Sequence, residues 1–331
     1  MNNPNQIINS HQVLGKYLLT EELYVGDRTI VYRAVPEVQT PEYSSVILKL
    51  LRQEYPTFND LLQFRNQYTI AKNLDIPGIV RPLSLETYRN GYILVMEDFG
   101  GISLRNYTKN QKLSLQEVLE ISHQIAHILH QIHQKKVIHK DIKPANILIN
   151  PQTKEIKLID FSIASLLPKE TEEIKNPGNL EGTLAYLAPE QTGRMNRGID
   201  YRTDFYALGI TLFQLLTGKL PFETEDPMEL LHCHLAQKPP DICRINSQIP
   251  PIVSSIVAKL MAKNTEDRYQ SALGLKHDLE ICLNQLKSTG KIVDFLIAER
   301  DISERLIVPE KLYGREQEIK ILLEAFERVA C

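Results

Sequence analysis

Hydrophobic and polar positions alternate differently along the chain, which predicts strands near its start and mainly helices later. Runs of β-branched and aromatic residues between turn residues predict strands at Tyr17–Leu19, Ile30–Tyr32, Val46–Leu48 and Tyr92–Met96. Apolar residues at helical spacing predict helices over Phe58–Leu74 and Leu115–Ile132. We therefore expect a mixed α+β fold.

A polar cluster, I-H-K-D-I-K-P-A-N at Ile138–Asn146, lies between the second helix and the apolar run Ile147–Ile149. Loops between a helix and a strand often carry reactive side chains on a rigid scaffold. Phosphoryl transfer to a hydroxyl needs a carboxylate that takes the proton, cationic charge and oxygen ligands for Mg²⁺. The residues of suitable chemistry are Asp141, Lys143, Asn146 and Asp160. The alternative is a polar loop whose Asp and Asn side chains only form turns.

Composition narrows the class of protein. The 331 residues suggest about two domains, and 43% hydrophobic content is ample for globular cores. A net charge of -3 gives no reason to expect nucleic acid or an anionic membrane as partner. The four cysteines show no C-x-x-C spacing. Neither a secretory signal nor an apolar run of about 18 residues is visible, so we expect a cytoplasmic protein.

Several motifs, in this order and at this spacing, resemble those of protein kinases. They are V-I-L-K ending at Lys49, V-M-E-D-F ending at Phe99, the polar cluster, D-F-S beginning at Asp160, and G-T-L-A-Y-L-A-P-E at Gly182–Glu190. The resemblance implies a bilobal kinase fold, with a β-rich N-lobe over residues 17–98 and a mainly helical C-lobe over 99–287. It also implies ATP and Mg²⁺ as cofactors, with Asn146 and Asp160 as metal ligands.

The same resemblance assigns the nucleotide-binding residues, which are Gly26, Val31, Lys49, Gln67, Met96, Glu97 and Phe99. Gly26 is the one glycine that remains of a phosphate-binding loop, so taken alone this segment is better explained as an ordinary hairpin. Gln67 occupies the position of the glutamate that holds the lysine in kinases. We expect Gln67 to accept a hydrogen bond from Lys49, with no carboxylate nearby.

Three charged residues are expected to support the site from a distance. By resemblance, Glu190 pairs with Arg268 as a scaffold clamp, and Asp204 braces the polar loop. The alternative for each is a solvated surface charge.

The pair His123 and His127, four residues apart on a helix, resembles a zinc-protease motif, but it lacks the glutamate that acts as general base.

Lys143 and Thr183 resemble the pattern of serine/threonine-specific kinases, which implies a protein substrate. Three departures from the family bear on activity: Lys140 stands where kinases carry arginine, Ser162 stands where they carry glycine, and the loop around Gly26 is poor in glycine. The serine would cost about 1 kcal/mol if that position needs φ > 0. Two functions remain open, an active serine/threonine kinase and a pseudokinase that serves as a regulatory docking module.

The chain ends are expected to lie outside the kinase domain. Residues 1–16 form a polar tail, and 288–331 a linker with the first helix of an NTPase-like domain. The stretch Gln191–Asp204 and the R-L-I-V-P-E-K-L-Y-G-R-E-Q-E-I segment at Arg305–Ile319 resemble multidomain kinases of cyanobacteria and other bacteria. That family carries NTPase and sensor domains after the kinase domain, so the chain is expected to be a fragment or a truncated product.

Overall fold

A six-stranded antiparallel sheet forms the first lobe, with strand order β1-β2-β3-β4-β6-β5. The computed structural model describes residues 13–38, 44–166, 184–194 and 198–303. The strands of this sheet are β1 (Val13–Leu14), β2 (Tyr17–Val25), β3 (Thr29–Pro36), β4 (Val46–Leu51), β5 (Pro82–Tyr88) and β6 (Gly91–Glu97). The predicted strands all lie within these elements.

One long helix, α1 (Phe58–Lys72), packs against β5 and β6 of this sheet. Thr57 and Asp60 form a capping box that satisfies the free N–H groups at its start. The helix ends two residues before the predicted position. Its Phe64 meets Leu94 and Met96 in a buried apolar cluster, which fixes the helix face that carries Gln67.

The second lobe is mainly helical, so the predicted α+β bilobal architecture is confirmed. Its described helices are α2 (Leu104–Tyr107), α3 (Leu115–Gln134), α4 (Arg202–Thr217), α5 (Pro227–Ala236), α6 (Ile242–Ile245), α7 (Pro251–Leu260) and α8 (Ala272–Thr289). A Ser114–Glu117 capping box starts α3, which packs against α4 and α8. Among the described residues, no helix has the length and apolar character that crossing a bilayer requires.

Short strands hold the loops that carry the polar cluster. They are β7 (Ile102–Ser103), β8 (Val137–Ile138), β9 (Ile147–Ile149), β10 (Ile156–Leu158) and β11 (Ser165–Leu166). Strands β10, β9 and β7 form one sheet, and β11 pairs with β8. Val80 N donates to Leu158 O at 3.1 Å, and Leu158 N donates to Gly78 O at 2.8 Å. These backbone hydrogen bonds join the segment before β5 directly to the strand that precedes Asp160.

Folded segments extend beyond both predicted boundaries of the kinase domain. Strand β1 pairs with β2, so part of the predicted N-terminal tail belongs to the sheet. At the other end, α8 continues to Thr289, and residues 290–303 lie against the second lobe. Ile292, Phe295 and Ile297 of that segment pack on the main core. The predicted NTPase-like helix lies beyond residue 303, outside the described residues.

Candidate active site

Lys49 lies on β4 and points toward α1. Its Nζ donates to Gln67 Oε1 at 2.9 Å and lies 3.2 Å from Asp160 Oδ2. The predicted hydrogen bond to Gln67 is therefore present. The expectation that no carboxylate lies near this lysine is wrong, because the loop after β10 brings Asp160 to it. The ammonium is thus held between a neutral amide and a charged carboxylate.

Asp141 lies in the loop between β8 and β9 and is 8% exposed. Its Oδ2 accepts from Lys143 Nζ at 2.7 Å and from Asn146 Nδ2 at 2.7 Å. Asn146 Nδ2 also donates to the Asp141 backbone oxygen at 3.0 Å. Within the part of the chain that the structure describes, buried Asp141 Oδ1 has no hydrogen-bond partner. That oxygen is free to accept a hydrogen bond from a hydroxyl group, because a buried acceptor without a partner gains most from a new one.

Asp160 adopts φ = +67°, a left-handed conformation that side-chain-bearing residues rarely take except at functional sites. Burial alone would raise the pKa of this carboxyl. The Lys49 ammonium and a hydrogen bond involving Ser162 outweigh that effect and lower the pKa to about 2. Its Oδ1 is buried and lacks a hydrogen-bond partner among the described residues. The group is therefore an ionised carboxylate with one uncommitted oxygen.

These oxygens fit a magnesium ion. Mg²⁺ prefers oxygen ligands, usually one or two carboxylates together with substrate phosphates. Asp160 offers the uncommitted oxygen, and Asn146 turns its amide nitrogen toward Asp141, which leaves its carbonyl oxygen as the other donor. The two segments are tied together, since Ile159 N donates to Asn146 O at 3.0 Å.

Ser162 is not among the described residues that have positive φ. The conditional cost of replacing glycine there therefore does not arise, because the left-handed position is Asp160, two residues earlier. Lys140 also has positive φ, at +68°, and is 2% exposed. Its backbone conformation is fixed by a hydrogen bond from its N–H to Asp204 Oδ1 at 2.8 Å.

Asp204 on α4 braces the polar loop, as predicted. The carboxylate is fully buried and accepts from His139 N at 3.0 Å, from Lys140 N and from His133 Nε2 at 2.8 Å. Burial raises the pKa of Asp204, but the hydrogen bond from His133 and the nearby histidines lower it on balance. Sequence reasoning missed His133, whose signal was a histidine on the apolar side of an amphipathic helix.

His139 was also missed as a structural residue. It is fully buried, its Nε2 lies 3.0 Å from Ile159 O, and its ring packs on Phe161 at 4.7 Å between centroids. Asp141 N lies 3.3 Å from His139 Nδ1. With Nδ1 as acceptor, Nε2 carries the proton and donates to Ile159. This histidine therefore links the loop of Asp141 to the loop of Asp160.

Two of the residues predicted to bind the nucleotide, Val31 and Gly26, lie on β3 and in the turn before it. Val31 on β3 pairs with Lys49 on β4, so the two side chains share one face of the sheet. Gly26 lies in the turn between β2 and β3, where its N–H donates to Thr29 O at 2.9 Å. The Tyr24 ring covers this glycine so closely that an added Cβ would lie 2.4 Å from the tyrosine hydroxyl oxygen. The expected hairpin is present.

Met96, Glu97 and Phe99 lie where β6 leaves the first lobe. Met96 is 8% exposed and lines a small cavity together with Gln67 and other residues near Asp160. The Glu97 carboxylate accepts from Lys157 Nζ at 2.7 Å, and the Phe99 carbonyl accepts from Asn150 Nδ2 at 2.8 Å. These contacts fix the backbone of the segment that the resemblance assigns to nucleotide binding.

The predicted ion pair between Glu190 and Arg268 is present and bidentate. Arg268 NH1 and NH2 lie 2.7 Å and 2.8 Å from Glu190 Oε1 and Oε2, and both side chains are essentially unexposed. Burial raises the pKa of Glu190, but the Arg268 guanidinium lowers it on balance. Arg268 also donates to the Arg202 backbone oxygen at 2.9 Å, which ties the pair to the start of α4.

The predicted histidine pair does not form a metal site in the described part of the chain. His123 is half-buried and His127 exposed on α3. Over residues 13–38, 44–166, 184–194 and 198–303, no group of three or more His, Cys, Asp or Glu side chains is arranged to hold a metal ion. Thr183 lies outside the described residues.

Comparison with known proteins defines the class first. The sequence model described as "Protein kinase domain" matches residues 19–279, most of the chain. The chain therefore belongs to the protein kinase family. The serine/threonine-protein kinase PrkC of Bacillus subtilis is 35% identical over 273 residues, which cover 81% of this chain and 41% of that protein. The serine/threonine-protein kinase PknB of Mycolicibacterium smegmatis is 31% identical over 72% of this chain and 38% of that protein.

A third relative is named as a histidine kinase. The hybrid signal transduction histidine kinase G of Dictyostelium discoideum is 31% identical over 314 residues, which cover 69% of this chain but 9% of that protein. The chain thus spans about two fifths or less of the length of these relatives.

Proposed function

We propose that this chain transfers the γ-phosphoryl group of ATP to a serine or threonine hydroxyl of a protein substrate. The observation that carries the proposal is that Asp141 Oδ1 and Asp160 Oδ1 are both buried and have no protein partner in the described structure, while Asp160 also pairs with Lys49. Phosphoryl transfer needs an acceptor for the hydroxyl proton and a ligand for Mg²⁺, which those oxygens supply. The serine/threonine kinases among its relatives support the substrate class.

Each residue has a defined task in this reaction. Asp141 Oδ1 accepts the proton of the attacking hydroxyl, and Lys143 places positive charge beside the transferred group. Lys49 holds the α- and β-phosphates while its contacts with Gln67 and Asp160 fix its direction. Asn146 and Asp160 hold Mg²⁺, which when bound neutralises charge on the phosphate oxygens.

Adenine would lie between the lobes. Val31 shares the sheet face of Lys49 and covers the base, while Met96 closes the back of the cleft and the Glu97 and Phe99 backbone binds its edge. The hairpin around Gly26 closes over the phosphates. It does so less tightly than a glycine-rich loop would, because side chains limit how closely the backbone can approach.

A pseudokinase is the less favoured function. Every charged group that the reaction requires is present, and the ion pairs Lys49–Asp160 and Lys143–Asp141 support an active enzyme. The replacements at positions 67 and 162 leave the lysine held and the backbone unstrained at 162. We therefore expect them to adjust the rate without removing activity.

The test is transfer of labelled phosphate from ATP with Mg²⁺ to a generic protein substrate. The matched control is Asp141→Asn, which keeps the side-chain shape but removes the acceptor of the proton. We expect incorporation into serine or threonine with the parent protein and a loss of orders of magnitude with the variant. No incorporation by the parent, together with a nucleotide-dependent rise in melting temperature, would instead support the pseudokinase.

We further propose that the kinase domain belongs to the multidomain bacterial type, as found in cyanobacteria. The support is the sequence resemblance at Gln191–Asp204 and at Arg305–Ile319, together with the match to a small part of a hybrid histidine kinase. In this proposal the kinase domain covers residues 17–287, and 288–331 leads into an NTPase-like domain followed by sensor domains. Intact mass and domain mapping of the native gene product would test this arrangement.

A further inference from the structure

Residues 290–303, here called the C-terminal clamp, follow α8 and turn back onto the second lobe. The apolar side chains of Ile292, Phe295 and Ile297 pack on the main core. Ala298 adopts φ = +62°, and its N–H donates to Asp278 Oδ2 at 2.7 Å. The sequence assigns this segment to a linker, yet its apolar and polar contacts are those of a folded element.

Asp301 is the anchor of the clamp. Its Oδ2 accepts from Gln270 N at 2.6 Å, and its Oδ1 accepts from Ser271 N at 2.8 Å and Ser271 Oγ at 2.9 Å. Gly274, in the first turn of α8, makes this approach possible. A Cβ there would lie 2.4 Å from Asp301 Oδ1 and 2.7 Å from Asp301 Cα. A glycine ordinarily weakens a helix, so its presence here is explained by the space that Asp301 needs beside the helix.

The residues that Asp301 holds are connected to α3 and α4. Tyr201 OH donates to the Gln270 backbone oxygen at 2.8 Å. The Tyr201 ring packs on His133, with 5.4 Å between centroids. His133 then binds Asp204, the residue that fixes the backbone N–H groups of His139 and Lys140. Every contact in this series lies within the described residues.

We propose that Asp301 is a positioning residue for the loop that carries Asp141, acting through the hydrogen bonds that it accepts from Gln270 and Ser271. Directional, largely buried contacts run without a gap from Asp301 through Gln270, Tyr201 and His133 to Asp204. Such contiguous networks can carry coupling between distant sites. The activity part of this inference rests on the proposed kinase function, whereas the structural part does not.

The experiment compares Asp301→Asn with the parent protein in the full chain. Asparagine keeps the size but replaces one carboxylate oxygen with an amide nitrogen, so either Gln270 N–H or Ser271 N–H loses its acceptor. The control is Asp294→Asn, which removes the same charge from an exposed position of the same clamp. Two readouts are needed: amide hydrogen exchange of residues 139–141, and kcat and KM for ATP at a temperature well below melting.

We expect Asp301→Asn to speed exchange at residues 139–141 as well as at 270–271, on the order of tenfold. We expect kcat to fall by roughly two- to thirty-fold, the range for mutations along coupled networks, with KM for ATP unchanged. Asp294→Asn should match the parent in both readouts. A purely local helix cap would speed exchange at 270–271 alone and leave kcat at the parent value, which would overturn the proposal.

Tyr201→Phe provides a second, milder variant that removes only the hydroxyl link to Gln270. We expect faster exchange at residues 139–141 with unchanged exchange at the clamp. Unchanged exchange at 139–141 would show that the series is not coupled, even if Asp301→Asn fails to fold. Because hydrogen exchange needs no catalysis, an inactive parent would refute the proposed function while leaving the coupling between clamp and loop testable.

Discussion

Substituting Gln67 with glutamate is the sharpest test of how Lys49 is held. The amide oxygen of Gln67 lies 2.9 Å from Lys49 Nζ, and Gln67 is 4% exposed. Glutamate has nearly the same shape, so the substitution changes one neutral contact into a charge-assisted one. Such bonds contribute roughly 1.5–3 kcal/mol, against about 0.5–1.5 kcal/mol for neutral ones.

The difference of about 1–1.5 kcal/mol would correspond to as much as a tenfold gain in rate if all of it appeared in the transition state. Two features reduce this gain. Burial costs the new carboxylate its solvation, and Asp160 already neutralises part of the lysine charge from 3.2 Å away. We therefore expect Gln67→Glu to raise kcat by less than this maximum, by roughly threefold.

The assay is steady-state phosphoryl transfer at saturating ATP and Mg²⁺. Thr69→Glu, which adds the same charge to an exposed position of α1, serves as the control and should leave kcat unchanged. Lys49→Met should abolish transfer in either background. A lower kcat in Gln67→Glu, at unchanged affinity for ATP, would show that the neutral amide is required and that the reasoning from bond strength is incorrect.

Three further outcomes are expected. Arg268→Ala should lower the free energy of unfolding by about 3–5 kcal/mol in urea titrations, because it leaves the buried Glu190 carboxylate without its partner; equal midpoints for variant and parent would contradict this. Asp160→Ala should remove the Mg²⁺-dependent part of the melting-temperature rise that ATP produces, and an unchanged rise would mean that Asp160 is not a metal ligand. Burial and the Arg268 charge lower the pKa of Lys263 to about 8, so folding favours the neutral amine, and the contribution of Lys263 to stability is full above its unfolded pKa and is lost as the pH falls toward 8. The stability of the parent relative to Lys263→Met should therefore increase between about pH 8 and about pH 10.5, and a constant difference in urea midpoints would refute the assignment.

Sequence reasoning reached the residues whose role is set by local chemistry and motif order. Lys49 with Gln67, Asp204 below the loop, and the pair Glu190–Arg268 all make the contacts expected of them. These contacts follow from residue type and family position. The strands and long helices were predictable for a similar reason, since their apolar periodicity is a property of the sequence itself.

What sequence reasoning missed depends on three-dimensional proximity. Nothing in the pattern brings Asp160 to Lys49, because the loop after β10 approaches β4 only in the folded chain. The left-handed φ lies at Asp160 and not at Ser162, where the sequence could state the cost of positive φ only as a condition. The clamp was taken for a linker, because the acceptor role of Asp301 depends on backbone N–H groups about thirty residues away, which carry no sequence signal.

The glutamine that holds Lys49 also changes what a small molecule could recognise in this cleft. Gln67 lines a cavity together with Met96 and Phe161. An ionised glutamate offers acceptors only, whereas an amide offers both donor and acceptor atoms. A carbonyl group facing the Gln67 side-chain NH₂ could accept a hydrogen bond here, whereas it would meet repulsion from a glutamate. The residue at position 67 therefore determines whether a ligand can place a hydrogen-bond acceptor at this point.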